Sequence, residues 1–193
     1  AEMRRLLGAA APVIEKGWPI VGLEPSCVMT LRDEATMLGL GEPAKRLAGA
    51  SLLIDEHIAK EAAGGRIDAP VGRRDGRVLL HGHCHQKAYG VMEATHRTLR
   101  LIEGLDVETV ETSCCGMAGA FGYGAETYDV SLAMAEQSLL PAVRKAADRE
   151  IVASGFSCRH QIADGTGRTP VHIARLLAEA VRSGAAGGGR LPA

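Results

Sequence analysis

Two cysteines stand side by side at 114 and 115, in the stretch ETSCCGMAGAFGYG (Glu111 to Gly124), and three more lie at 27, 84 and 158. Adjacent cysteines seldom bond each other, because the small ring they would close strains the preferred disulfide geometry. Packing accounts for one small buried thiol, but it does not call for a pair. The doublet therefore asks for an outside partner: a metal, a cluster or a distant thiol. An odd count of five in a chain of 193 residues does not suit a secreted disulfide framework. In a reducing compartment such thiols read as ligands or redox groups, and the thiolate is the form that binds iron or zinc. A second chemical stretch, HGHCHQKA (His81 to Ala88), sets three histidines around Cys84. In an extended segment His83 and Cys84 point to opposite sides. His81 and His85 read first as turn residues that orient the loop; donation of an N–H toward a ligated sulfur, or ligation by His85, is open beside that reading.

These residues must be positioned by regular elements. The runs at 19–25, 76–83, 106–113 and 149–155 read as short strands, each ending in a turn. Helical periodicity is expected at 3–16, about 30–39, 43–63, 87–103, 126–148, where Pro141 introduces a kink, and 170–183, after a Thr169 cap and Pro170. The alternation implies parallel strands joined by crossovers, an α/β fold whose parallel-stranded layered sheet carries helices on both faces. Each strand end coincides with a cysteine or lies just before one: Cys27, Cys84, the 114–115 pair and Cys158. Ligands of parallel sheets gather outside the carboxyl ends of the strands. The cysteines are therefore expected on one rim. GLEPSCVMTLRDE (22–34) and ASGFSCRHQIADG (153–165) look like halves of an internal repeat, each delivering a thiol at a helix start, where the dipole favours the thiolate.

Bulk properties exclude several functions. A net charge of −1 and only 3% aromatic residues give no basis for nucleic-acid binding. No apolar run is long enough to cross a bilayer. The first residues read as an amphipathic helix, not a signal peptide. A soluble, cytoplasmic protein is expected. The glycines at 116, 119, 122 and 124 lack the Lys–Ser or Lys–Thr of a phosphate loop and read as places of close backbone approach. Tyr123 can hydrogen-bond near the site or pack on its rim.

HCHQKA, SCCGMAGAFGYGAETYDVSLAMAE and GFSCRHQIADGTGRTPVHIARLL together resemble the second half of a cysteine-rich CCG domain. Domains of this type occur in heterodisulfide reductase, in anaerobic glycerol-3-phosphate dehydrogenase and in the iron–sulfur component of glycolate oxidase. GLEPSCVMTLRDE resembles most closely the C-terminal part of FAD-linked D-lactate and D-2-hydroxyglutarate dehydrogenases. The family pattern is a cysteine, Cys–Cys–Gly and then Cys-x-x-Cys, in two copies. Here 29 residues separate Cys84 from Cys114 and 42 separate Cys115 from Cys158. Gly155 stands where the first thiol of Cys-x-x-Cys would be, and Glu24 at the matching place before Cys27. The resemblance implies a fragment in which 1–75 is the remainder of a first CCG-type half with a helical excursion, 76–183 the second half and 184–193 a flexible tail.

It further implies a 4Fe–4S cluster on Cys84, Cys114, Cys115 and Cys158, with Cys27 able to add a fifth thiol, and His83, His85, Gly116 and Tyr123 around it. Zinc is the alternative metal, and dithiol–disulfide chemistry a third option. An FAD-binding domain of the same polypeptide or complex would oxidise a D-2-hydroxy acid. Electrons would leave to a quinone or other acceptor, with peripheral contact at the inner membrane face through that partner. On this reading the isolated fragment is inactive. His172 and Arg168 carry a functional option through the same resemblance.

Overall fold

A computed structural model describes residues 1–112 and 114–187. In chain order the elements are α1 (Glu2–Glu15), β1 (Ile20–Gly22), α2 (Pro25–Arg32), α3 (Glu34–Met37), α4 (Glu42–Ala50), β2 (Ser51–Leu53), α5 (Ile54–Ala63), β3 (Gly76–His81), α6 (Cys84–Ala88), α7 (Met92–Leu99), β4 (Leu105–Thr109), α8 (Tyr128–Glu136), α9 (Leu139–Lys145), β5 (Glu150–Ala153), α10 (Phe156–Thr166) and α11 (Ile173–Gly187). A 3-10 turn at Phe121–Tyr123 follows the cysteine pair. The fold is α/β, with every strand pairing parallel. The strands form two sheets, β1–β2 and β4–β3–β5.

In the larger sheet the alternation of β3 decides the layers. Leu79, with Ile151 and Ala153 of β5, faces a core completed by Leu139, Val143 and Ile162 of α9 and α10. Val78 and Leu80, with Val152, face the opposite core of Leu99, Ile102, Ile173 and Leu176. Helices thus cover both faces, as parallel strands require. Each fully buried Leu or Ile contributes about 1.5–3 kcal/mol. Cys115 and Cys158 belong to the first of these cores, so the thiols are part of the packed layer.

Several boundaries differ from the sequence pattern. The expected helix over 43–63 is interrupted by β2, which pairs in register with β1, Ile20 opposite Ser51; strand pairing outweighs local helix preference. The 87–103 pattern divides at Gly90, whose φ of 67° ends α6. Pro141 does more than kink the 126–148 segment: the chain breaks into α8 and α9 around Ser138, because the proline has no N–H to continue the ladder. Residues 169–172 are not helical. Val171 instead bridges Val152 in parallel, its N–H donating to Ile151 O at 2.8 Å, and α11 starts at Ile173. That helix runs on to Gly187, past the expected stop at 183; the rest of the expected tail, 188–193, lies outside the described residues.

The internal repeat takes a concrete form. In one half β1 leads to Cys27, the third residue of α2, and Val21 pairs with Leu52 ahead of α5. In the other β5 leads to Cys158, the third residue of α10, and Val152 pairs with Val171 ahead of α11. The first half differs by the inserted helices α3 and α4.

Candidate metal centre

Cys84 is the first residue of α6, held by an unusual cap. His83 precedes the helix; its Nδ1 accepts the His85 N–H at 3.1 Å, and its own N–H donates to Gln86 Oε1 at 3.1 Å. This reciprocal pair satisfies two free donors of the helix start. Gln86 passes the restraint inward, its amide donating to Asp55 Oδ2 and Thr95 Oγ1, both at 3.2 Å. Thr95 donates to the same carboxylate, and Thr98 donates to the Asp55 carbonyl at 2.8 Å. Asp55 is 2% exposed, and burial pushes its carboxyl above the usual range against the pull of the Thr95 hydrogen bond. A buried carboxylate from the first half therefore fixes the loop that presents Cys84.

The pair at 114–115 follows β4 in a loop closed by Gly116. That glycine has φ 90°, and a Cβ there would strike the Ser131 carbonyl, so only glycine fits. Its N–H donates to Cys114 Sγ at 3.3 Å. Cys158 enters from the α10 start, beside Gly155. A Cβ at 155 would strike the His83 ring and lie 3.0 Å from Cys158 Sγ. The ring of His83 fills the space that a side chain at 155 would take.

These turns bring four sulfurs into one row. Cys84 interacts with Cys114, Cys114 with Cys115, and Cys115 with Cys158. The sulfurs perturb one another along the row. Thiol hydrogen bonds to Cys114 push Cys84 up, with burial adding to the effect. The same bonds, from Cys115 and Cys84, hold Cys114 far down. Cys115, hydrogen-bonding Cys114 and Cys158, is pushed up. Cys158 is lowered to about 5, chiefly by its hydrogen bond from Cys115 and despite desolvation.

Histidines flank both ends. Ring nitrogens of His83 and His85 group with Cys84 Sγ, and a nitrogen of His81 groups with the sulfurs of Cys115 and Cys158; within each group the donor atoms lie within 4.8 Å of one another. His81 is 1% exposed, and neither ring nitrogen has a hydrogen-bond partner. It lies close enough to Cys158 to help lower that thiol's pKa, although the contact lacks the geometry of a hydrogen bond. An orphaned buried polar group costs about 1–3 kcal/mol. A soft or borderline metal among these donors fits the arrangement: thiolates are available, and a buried imidazole is left without other work. Lys87 adds a half-buried ammonium, donating to the Thr112 carbonyl; burial lowers its pKa, and the negative charge of the cysteines opposes that.

Among the expected site residues, Cys84, Cys114, Cys115 and Cys158 are brought together, with His83, His85 and Gly116 around them. Cys27 is exposed and joins neither donor group. The Tyr123 hydroxyl pairs with His160 Nδ1 at 2.8 Å on the surface, not with a sulfur. Arg168 serves the backbone, donating to the carbonyls of Ala146 and Arg149. His172 joins the halves: its Nδ1 accepts the Ala174 N–H at 3.0 Å, which leaves Nε2–H to donate to Leu23 O at 3.0 Å. Beside it, Glu24 Oε2 accepts the Phe156 N–H at 2.7 Å, so a first-half carboxylate caps the helix that carries Cys158. Sequence reasoning missed Asp55, Glu24 and Lys87. Only Glu24 left a signal, standing where the repeat would place a thiol.

All five cysteines are free, and four of them converge at the carboxyl ends of β3, β4 and β5 with histidine company. Over 160 residues the chain is 34% identical to D-2-hydroxyglutarate dehydrogenase of Escherichia coli K12, a match covering 80% of this chain and 15% of that protein. Over 166 residues it is 28% identical to a component of the anaerobic glycerol-3-phosphate dehydrogenase of the same organism, covering 86% of this chain and 41% of that component. The chain is homologous to one region of these dehydrogenases. D-2-hydroxyglutarate dehydrogenase of Pseudomonas putida is 33% identical over 159 residues, of which the match spans 14% of the enzyme. No family model and no solved structure matches the chain. The resemblance to the CCG group, drawn from the cysteine motifs, thus agrees with relatives that are oxidoreductases and mostly much longer than the matched region. Among the described residues no helix is long and apolar enough to cross a membrane.

Proposed function

We propose that this chain is the electron-carrying part of an FAD-linked oxidoreductase acting on a D-2-hydroxy acid such as lactate or 2-hydroxyglutarate, with Cys84, Cys114, Cys115 and Cys158 holding an iron–sulfur cluster. The observation that supports it most is the contiguous row of four sulfurs, drawn from three separate strand ends. One sulfur each on several irons suits the adjacent pair at 114–115, which a single ion accommodates poorly. A cluster there supplies one-electron transfer, from the flavin of a partner domain toward a quinone or other acceptor. The chain's own contribution is tuning. Gly116 donates an N–H to the Cys114 sulfur, and Lys87 places positive charge beside the row. Both favour the more reduced, more negative state. The flavin domain, the hydroxy acid and the acceptor belong to the rest of the protein, and the isolated chain is inactive on substrate.

Reconstitution with iron and sulfide without oxygen tests the reading: about four irons per chain and a broad visible charge-transfer band are expected. A colourless protein with little bound iron would sink it. A second reading has its own support in the mixed nitrogen and sulfur donors of His81, Cys115 and Cys158. These suit zinc, which would make the chain a structural docking domain of the same flavoprotein. Stoichiometric zinc, no redox response and melting on chelation would identify that case.

A further inference from the structure

We propose that His81 is a metal ligand, its imidazole joining the thiolates of Cys115 and Cys158 as the nitrogen end of the cysteine row. The inference rests on the metal-centre reading and adds to it a donor that the cysteine motif does not contain.

Position comes first. His81 is the last residue of the central strand β3, opposite Ala153 of β5. From there its ring reaches the turn that carries Cys158 and the loop that carries Cys115. A tetrahedral ion with bonds to sulfur and nitrogen of ordinary length holds its donors about 3.5–3.8 Å apart. The three donor atoms already lie within 4.8 Å of one another, so contraction of at most about 1.3 Å closes the set around an ion.

Availability separates His81 from the other histidines. His83 Nδ1 is committed to the His85 N–H, and both nitrogens of His172 are in use. Among the described residues, His81 alone has both ring nitrogens buried and unpartnered. A buried polar group without a partner calls for an explanation, and an absent ion is a standard one. Its tautomer is free to place a lone pair on whichever nitrogen faces the sulfurs.

Charge supplies the third argument. Cys115 and Cys158 are 4% and 1% exposed, whereas Cys84 and Cys114 are half-buried, with Lys87 beside them. Two thiolates and a neutral imidazole leave a divalent ion without net charge, which suits the buried end. A further thiolate there would bury negative charge. On binding, any proton on the two sulfurs leaves to solvent and the imidazole contributes a lone pair; nothing is oxidised or reduced.

Cobalt(II) titration of the whole chain, prepared without oxygen, tests the inference. X-ray absorption at the cobalt edge reads imidazole scattering, and the visible spectrum reads sulfur-to-cobalt charge transfer. Wild type is expected to show one imidazole among sulfur donors. His81→Gln should lose that signature and bind at least 10-fold more weakly, whereas His57→Gln, on α5, should change neither. His81→Cys should retain the ion, with more intense charge transfer. Imidazole added to His81→Gly should restore the nitrogen signature, which separates lost ligation from a failure to fold. An all-sulfur shell in wild type, or an imidazole signal that persists in His81→Gln, overturns the assignment and leaves a cysteine centre standing. No cobalt uptake by wild type overturns the assignment as well, and the iron–sulfur reading is then decided separately by reconstitution with iron and sulfide.

Discussion

Two turns of the same design have opposite surroundings. β1 feeds α2 with Cys27 at its third residue, and β5 feeds α10 with Cys158 at its third residue; Val21 and Val152 pair with strand residues at corresponding points. Yet Cys27 is exposed and outside both donor groups, while Cys158 is 1% exposed between Cys115 and His81. The turn itself therefore does not make a site. What differs is the neighbours. Beside β5 runs β3, bringing His81 and the Cys84 loop, and beyond it β4, bringing the 114–115 pair. Among the described residues β1 has β2 alone beside it, and the helix after β2 brings Asp55. The first half has become a buttress: Asp55 fixes the Cys84 loop, Glu24 caps the Cys158 helix, and Leu23 accepts from His172.

The largest test of this contrast exchanges equivalent thiols. Cys158→Ser is expected to abolish metal retention, since it removes a donor and leaves Cys115 without its thiolate partner, whereas Cys27→Ser should leave metal content unchanged. Metal analysis after anaerobic reconstitution reads both. Comparable losses from the two would mean that the halves share one centre. Next in size is Asp55→Ala, which leaves the Thr95 hydroxyl proton and one Gln86 amide hydrogen without acceptors in the interior. A cost of about 3 kcal/mol is expected from two orphaned groups, read as a shift of the denaturation midpoint. Metal affinity should fall with it, because Gln86 also anchors His83. Smaller still is Glu24→Ala, which uncaps α10 for about 1 kcal/mol. Unchanged stability in that variant would remove Glu24 from the role of tie between the halves.

Much of this was legible because cysteines are rare and their positions were read against strand ends. The α/β class followed from the alternation, and convergence of Cys84, Cys114, Cys115 and Cys158 followed from the rule that parallel strands share one ligand edge. What could not be read is tertiary. Nothing local distinguishes Cys27 from Cys158, since the difference lies in which strands lie alongside. Nothing local marks Asp55 either, because its role depends on α6 and α7 packing over it. His81 read as a turn residue because nothing in the local stretch hints that burial will leave its ring without partners. The split sheets arose from pairing of Ile20–Gly22 with Ser51–Leu53, which local helix preference masked.

The finest test uses pH, because the residue preceding α11 differs from its counterpart before α5. Leu53 has no titrating group, whereas burial depresses the pKa of His172 below its usual 6.5. A depressed pKa means that the unfolded chain takes up the proton first. The contribution of neutral His172 is intact above about pH 6.5 and is lost as pH falls from there through the folded value. Asp55 works in the opposite sense. Raised above 3.8 by burial, it contributes fully below that pH and loses the contribution as pH rises through its folded value. His83, also depressed by burial, adds to the His172 trend, so the single effect must be isolated by difference. The stability gap between wild type and His172→Gln should narrow as pH falls below 6.5, by at most about 1.4 kcal/mol per pH unit for one proton. Denaturant midpoints across pH 5 to 8 measure it. A gap that stays constant over that range would show that His172 keeps its charge state on unfolding. Burial of the His172 ring would then not be what makes the junction between the halves sensitive to acid.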